Sequence, residues 1–183
     1  MSINFFSHGF SEPVNNIGIA EAEGKIVRVA FNFTNADIYS DENARFVIPG
    51  VQNGKNGFAS VKIFESETIK LAFTQFSEYF DGGRAAFELP FSYAGAAFTM
   101  KVYRELLGIP AGETRSYADI AEACGNSKAC RAVGMINGNN PLPFIIPCHR
   151  VIGSDGSLTG YAGGLPMKRY LLELEKRFYG HAA

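Results

Sequence analysis

No stretch of the sequence approaches the roughly 20 consecutive apolar residues that a membrane span needs. Glu12 and Asn15 stand where the apolar region of a secretory leader would lie, so an intracellular protein with no membrane partner is expected. Cysteine is scarce. Cys124, Cys130 and Cys148 cannot all pair within one chain, and none forms a C-x-x-C pair, which argues against both a disulfide framework and a zinc knuckle. Internal repeats and low-complexity tracts are absent too. Strong charge of either sign is also missing: the formal net charge is −1, a poor advertisement for a polyanionic partner.

What is there suits a folded chain. The 183 residues are 46% apolar and 19% charged, enough for one large core or two small ones. The charge is also uneven. Residues 1–99 hold 7 Lys/Arg against 11 Asp/Glu, a balance of −4, whereas residues 100–183 hold 10 against 7, or +3. A polyanion would therefore meet the C-terminal half, although a surplus of three also fits a plain solvated face.

Between Ile17 and about Ile63, short β-type runs such as Ile26–Phe31 and Phe58–Ile63 alternate with Gly, Asn and Asp punctuation, which predicts a small sheet. Ile69, Ala72, Phe73, Phe76 and Phe80 recur at helical spacing until Asp81-Gly82-Gly83, so one helix covers that sheet. Leu89-Pro90 through Gly95 reads as a linker, giving domains of 1–95 and 96–183. Phe98, Val102 and Leu106 then open a helix that ends at Gly108. Ser116 is placed to cap a helix over 117–123, Gly125 to make a tight turn, and Asn126 or Ser127 to cap a helix running to about Ile136. Two short helices around a glycine turn form the helix-turn-helix pattern. Met167, Tyr170, Leu171, Leu174 and Phe178 give a closing amphipathic helix with Glu173 and Glu175 among its polar positions.

Chemistry concentrates at Pro147-Cys148-His149-Arg150-Val151, which follows the apolar run Phe144-Ile145-Ile146. A thiol with a rigid approach and a base beside it is a candidate nucleophile. Most cysteines are small core residues, however, and adjacent side chains diverge, so a water between Cys148 and His149 is the contact this order allows.

Pro147–Val151, preceded by Arg131-Ala132-Val133-Gly134 and Asn140-Pro141 and followed by Gly160-Tyr161-Ala162-Gly163-Gly164, resembles the O6-alkylguanine-DNA alkyltransferase family. The resemblance runs in order from Phe98 to about Glu175, and extends weakly upstream through Glu78–Gly82 and Leu89-Pro90. It implies an α+β protein, with a ribonuclease-H-like N-terminal domain and an all-helical C-terminal domain of winged or helix-turn-helix type. That second domain would hold its recognition helix in the minor groove of double-stranded DNA and flip an alkylated guanine out of the stack.

Carried onto these residues, the resemblance makes Cys148 the alkyl acceptor and Cys148, a bridging water, His149 and Glu175 a relay. Tyr117 rotates the nucleotide and protonates guanine N3. Asn140 is a hinge tying the recognition helix to the cysteine turn, and Arg131 is a finger that fills the gap left by the base. Ser127, Ala132 and Gly134 join Arg131 and Tyr117 at the DNA. The loop 153–164 forms the guanine pocket through Val151, Ser154, Tyr161, Ala162 and Gly163, with main-chain carbonyls of Cys148 and Val151 reading the guanine amino group. No metal or organic cofactor is implied, His8, His149 and His181 being too scattered for a zinc set. A monomer is expected, located in the cytoplasm with access to chromosomal DNA, or in the nucleus of a eukaryote. The activity implied is single-use transfer from O6-alkylguanine, with O4-methylthymine as a lesser substrate.

Two departures stand out. Ile136, preceded by Met135, replaces a small residue one turn after Arg131, and Ala162 replaces a serine found in some members, leaving oxygen recognition to its N–H. Two other readings compete. A non-catalytic module that only recognises alkylated guanine would have lost its cysteine, whereas Cys148 is present. A cysteine hydrolase would turn over, and a cysteine immediately next to its histidine is not the usual thiol-hydrolase arrangement.

Overall fold

The computed structural model describes residues 2–31, 60–63 and 65–180. It is a mixed α/β structure with two compact units, Met1–Phe76 with Glu88–Tyr93, and Ser77–Phe87 with Ala94–Ala183.

In the first unit, β1 (Ser2–Gly9), β2 (Asn16–Ala22), β3 (Lys25–Phe31) and β4 (Ser60–Ile63) form a sheet in the order β3-β2-β1-β4. β2 runs antiparallel to both neighbours, placing Ile19 opposite Phe6 and Val29, and β1 pairs in parallel with β4. The β2–β3 hairpin turns on Glu23 and Gly24, both at positive φ (53° and 75°), the geometry of the two-residue turns whose twist matches the flanking strands. Ile17, Ile19, Ala20 and Ala22 are all buried, so the central strand is covered on both faces. Helix α1 (Glu67–Phe80), whose last four residues belong to the second unit, begins where Ser66 Oγ accepts from Ile69 N, and Phe73 meets Phe6 edge-on at 6.2 Å between ring centres. The strand over 25–31 and the helix ending before Asp81 follow the expected pattern. β1 carries no expectation from the sequence pattern, and Phe58-Ala59 of the second predicted run lie outside the described residues.

The second unit holds α2 (Ala97–Leu107), β5 (Arg115–Ser116), α3 (Tyr117–Ala123), α4 (Cys130–Gly138), a single 3-10 turn over Cys148–Arg150, β6 (Val151–Ile152) and α5 (Gly164–Tyr179). It is not wholly helical: β5 and β6 pair in parallel, Arg115 with Val151 and Ser116 with Ile152. Ser116 caps α3 through a full capping box with Asp119, and Gly125 takes φ +82° in the turn that follows.

The start of α4 differs from expectation. Neither Asn126 nor Ser127 caps it; Asn126 closes a turn through Lys128 N and Ala129 N, and the helix begins behind Ala129 with no side-chain cap. The competing local hydrogen bonds of Asn126 hold a separate turn and delay the helix by one turn. Between α4 and the cysteine turn, buried Phe144 sits at φ +71°, a region side chains with a Cβ rarely occupy, and its ring packs edge-on against Phe80. No helix among the described residues is long and apolar enough to cross a membrane.

Candidate active site

Cys148 opens the 3-10 turn and is buried, and beside it His149 has none of its surface exposed. Asn140, just past α4, fixes that turn from the other side. Its Nδ2 donates to Ile146 O at 2.7 Å and to Cys148 Sγ at 3.2 Å, while its Oδ1 accepts from Leu142 N. The side chain thus spans the end of the helix and the thiol, and a donor on sulfur favours the thiolate. Burial still dominates and pushes the Cys148 thiol up, with the Asn140 bond and the Lys168 charge pulling against it.

Glu175 reaches the same turn from α5. Its Oε1 lies 2.9 Å from His149 Nε2, and it accepts from Tyr79 Oη at 2.6 Å and Arg150 Nη2 at 2.8 Å. Its Oε2 accepts from Arg150 Nε at 3.0 Å and Gly112 N at 3.2 Å. Burial alone would raise this carboxyl, but the hydrogen bonds and charges of His149 and Arg150 outweigh it and hold it well below the usual carboxylate range. An ionised carboxylate only accepts, so His149 carries its hydrogen on Nε2 and leaves Nδ1 as the acceptor. That Nδ1 is buried and has no hydrogen-bond partner among the described residues. Burial lowers the His149 pKa, and the Glu175 contact offsets part of the shift. The resting ring is therefore a neutral base.

Tyr117, the first residue of α3, donates to Thr159 O at 3.1 Å. Its ring packs beside Gly134, where a Cβ would lie in ordinary contact, 3.8 Å from Tyr117 Cε1. Lys168 Nζ, fully buried, donates to Val151 O at 2.6 Å, Thr159 O at 2.8 Å and Tyr117 Oη at 3.5 Å. Burial pulls Lys168 down to about 8. This lysine pins the loop over 153–164 to the cysteine turn, so Val151 O already holds one donor.

The structure therefore gathers Cys148, His149, Asn140 and Glu175 into one cluster, with Tyr117 and Val151 joined through Lys168. Tyr161 and Gly163 are half-buried in the loop, while Ser154 and Ala162 are exposed on it. Arg131 is exposed on α4 and Ser127 in the turn before it, with Ala132 and Gly134 half-buried. Among the described residues no cluster of His, Cys, Asp or Glu could hold a metal ion.

Three participants escaped sequence reasoning: Lys168, Tyr79 and the ion-pairing role of Arg150. Lys168 and Glu175 share one stripe of α5 with Met167 and Leu171, all buried. Two opposite charges at core positions of a helix were a readable sign of a buried polar centre.

The fold and the site define a protein with a buried cysteine, next to a neutral histidine that is hydrogen-bonded to a buried, ionised carboxylate. Residues 97–177 match the 6-O-methylguanine DNA methyltransferase, DNA binding domain family. The constitutive methylated-DNA–protein-cysteine methyltransferase of Bacillus subtilis is 42% identical over 168 residues, 91% of this chain and 93% of that protein. The Mycobacterium tuberculosis protein of the same name is 51% identical over 105 residues, 57% of this chain and 64% of the relative. Among solved structures, Mycobacterium tuberculosis OGT in complex with DNA superposes with a TM-score of 0.74 at 31% identity, covering 97% of this chain and 94% of that one. The chain belongs to the methylated-DNA–protein-cysteine methyltransferase family.

Proposed function

We propose that this chain repairs DNA by moving the alkyl group of O6-alkylguanine in double-stranded DNA onto Cys148, once per molecule. The observation that carries the reading is the double anchoring of the cysteine turn. Asn140 donates to the Cys148 sulfur, and the neighbouring His149 is oriented by a buried, ionised Glu175. The relatives support the substrate, being named for methylated DNA, and one neighbour was solved with DNA.

In the reaction, a water carries the Cys148 proton to His149 Nδ1, and the resulting imidazolium is stabilised by Glu175. The thiolate attacks the alkyl carbon, an S–C bond forms as the O6–C bond breaks, and the electron pair leaves with the purine. Tyr117 supplies the proton that neutralises N3. The product thioether is inert to thiol exchange, so the protein is spent.

The finer parts of the reading are that the target base is flipped into the loop over 153–164 and that Arg131 fills the gap. Ser127, Ala132 and Gly134 follow the groove, and Val151, Ser154, Tyr161, Ala162 and Gly163 line the pocket. O4-methylthymine is a second substrate. The same reading takes residues 1–95 as ribonuclease-H-like and 96–183 as a winged or helix-turn-helix domain. The protein acts as a monomer, without cofactor, in the cytoplasm or, in a eukaryote, the nucleus.

The test uses a duplex bearing one labelled O6-methylguanine. Label is expected to move to the protein and stop near one equivalent, with no transfer in Cys148→Ala. Binding of the lesion without transfer would replace this reading with a recognition-only protein, and continued turnover would point to a hydrolase.

A further inference from the structure

Asn137 lies on α4 with 5% of its surface exposed, and neither its Nδ2 nor its Oδ1 has a hydrogen-bond partner among the described residues. A buried amide left unsatisfied destabilises a fold, and native structures contain few of them. An apolar residue of similar size would fill the same space without that cost. Asn137 is one turn beyond Gly134, beside which the Tyr117 ring packs; burial raises the Tyr117 pKa, and the Asn137 side chain, close to the phenol though short of a formed hydrogen bond, acts against that as a donor would. The Tyr117 hydroxyl otherwise gives its proton to Thr159 O and meets Lys168 Nζ at 3.5 Å.

We propose that Asn137 is a positioning residue for proton delivery: its side-chain N–H donates to the Tyr117 oxygen as that oxygen passes its proton to the leaving purine. This inference rests on the alkyl-transfer reading. The Cys148 proton has gone to His149, the thiolate has become a neutral thioether, and the purine leaves with the electron pair of the broken O6–C bond. Tyr117 transfers its proton to N3, which makes the purine neutral and leaves one negative charge on the Tyr117 oxygen. That half-buried phenolate accepts from Asn137 Nδ2 and from the Lys168 ammonium, so an amide contact that falls short of a hydrogen bond at rest closes as the charge appears. A donor that engages only as charge develops lowers the barrier without tightening the resting state.

The experiment compares the full-length parent, Asn137→Leu, Tyr117→Phe and the double variant in single-turnover transfer from O6-methylguanine duplex. Alkylation of Cys148 by iodoacetamide and thermal unfolding are followed on the same preparations. Iodide leaves without a proton, so this second reaction reads the thiol alone. Asn137→Leu is expected to slow transfer by roughly tenfold or more, to leave the iodoacetamide rate within about twofold, and to raise Tm by a few degrees. In the Tyr117→Phe background the same substitution is expected to change transfer by less than about twofold, because the pair acts as a unit. Equal slowing in both backgrounds, or unchanged transfer in Asn137→Leu, would overturn the proposal. A parent chain that alkylates with iodoacetamide yet transfers nothing from the duplex would overturn the alkyl-transfer reading beneath it.

Discussion

Glu175 keeps a full negative charge although none of its surface is exposed, because four donor groups from three parts of the second unit converge on two oxygens. An ion buried without such partners would neutralise itself instead. Removing the charge while keeping the shape, as in Glu175→Gln, leaves the buried Arg150 guanidinium without its counter-ion and is expected to cost about 3–5 kcal/mol in urea unfolding. Tyr79→Phe removes one hydrogen bond to a charged group and is expected to cost about 1.5–3 kcal/mol. The same centre sets a pH dependence. The folded pKa values of both His149 and Glu175 lie below their unfolded values, so in each case the unfolded chain takes up the proton first. His149 thus contributes stability that is intact above its ordinary value of 6.5 and lost progressively as pH falls below it towards the lower folded value, and Glu175 does the same below 4.5. The urea midpoint is expected to decline between pH 7 and 5 in the parent. In His149→Gln that limb should be flat, and persistence of the decline would assign it to another group.

At the scale of the element, the short helix α3 exists to hold Tyr117 at its first turn, and seven residues have little intrinsic helical stability. Its capping box therefore matters more than it would on a long helix. Ser116→Ala is expected to cost about 1 kcal/mol and, because Tyr117 is the next residue, to slow alkyl transfer as well. Urea unfolding and single-turnover transfer read the two effects separately, and a loss of stability with unchanged transfer would detach the cap from the chemistry. Legibility divides along the same physical line. α1, α2 and α3 were readable because apolar spacing and stop signals are local, and Ser116 was readable as a cap because its partner Asp119 is three residues away. The onset of α4 was not, because Ala129 offers no capping side chain and Asn126 spends its hydrogen bonds on a turn. Strand β1 was hidden because its identity comes from pairing with β2 and β4, not from its own alternation. In the site, Cys148, His149 and Asn140 share a short motif, whereas Tyr79 joins Glu175 across 96 positions of sequence and left no local trace. Glu175 is one more polar helix position by its local pattern, and in the sequence only the family resemblance singles it out.

At the scale of the whole molecule, charge is arranged against the net value. The stretch from Gly125 to Ser154 contains no Asp or Glu, and within it Lys128 and Arg131 are exposed on α4 and the turn before it. A chain of net charge −1 can therefore still present a locally positive face to DNA, with affinity that is modest and salt-sensitive. The two cations are expected to act differently. A lysine paired with a phosphate displaces a counter-ion, so Lys128→Ala should lower the slope of log K against log salt by about 0.9. Its loss should weaken binding to damaged and undamaged duplex alike. An arginine that occupies the space of an extruded base works only when a base has left, so Arg131→Ala should slow transfer from O6-methylguanine duplex far more than it weakens binding to undamaged duplex. Titrations at several salt concentrations, set beside single-turnover transfer, separate the two. If Arg131→Ala lowers the salt slope as Lys128→Ala does and slows transfer only in proportion to lost binding, Arg131 is a phosphate contact and not a finger.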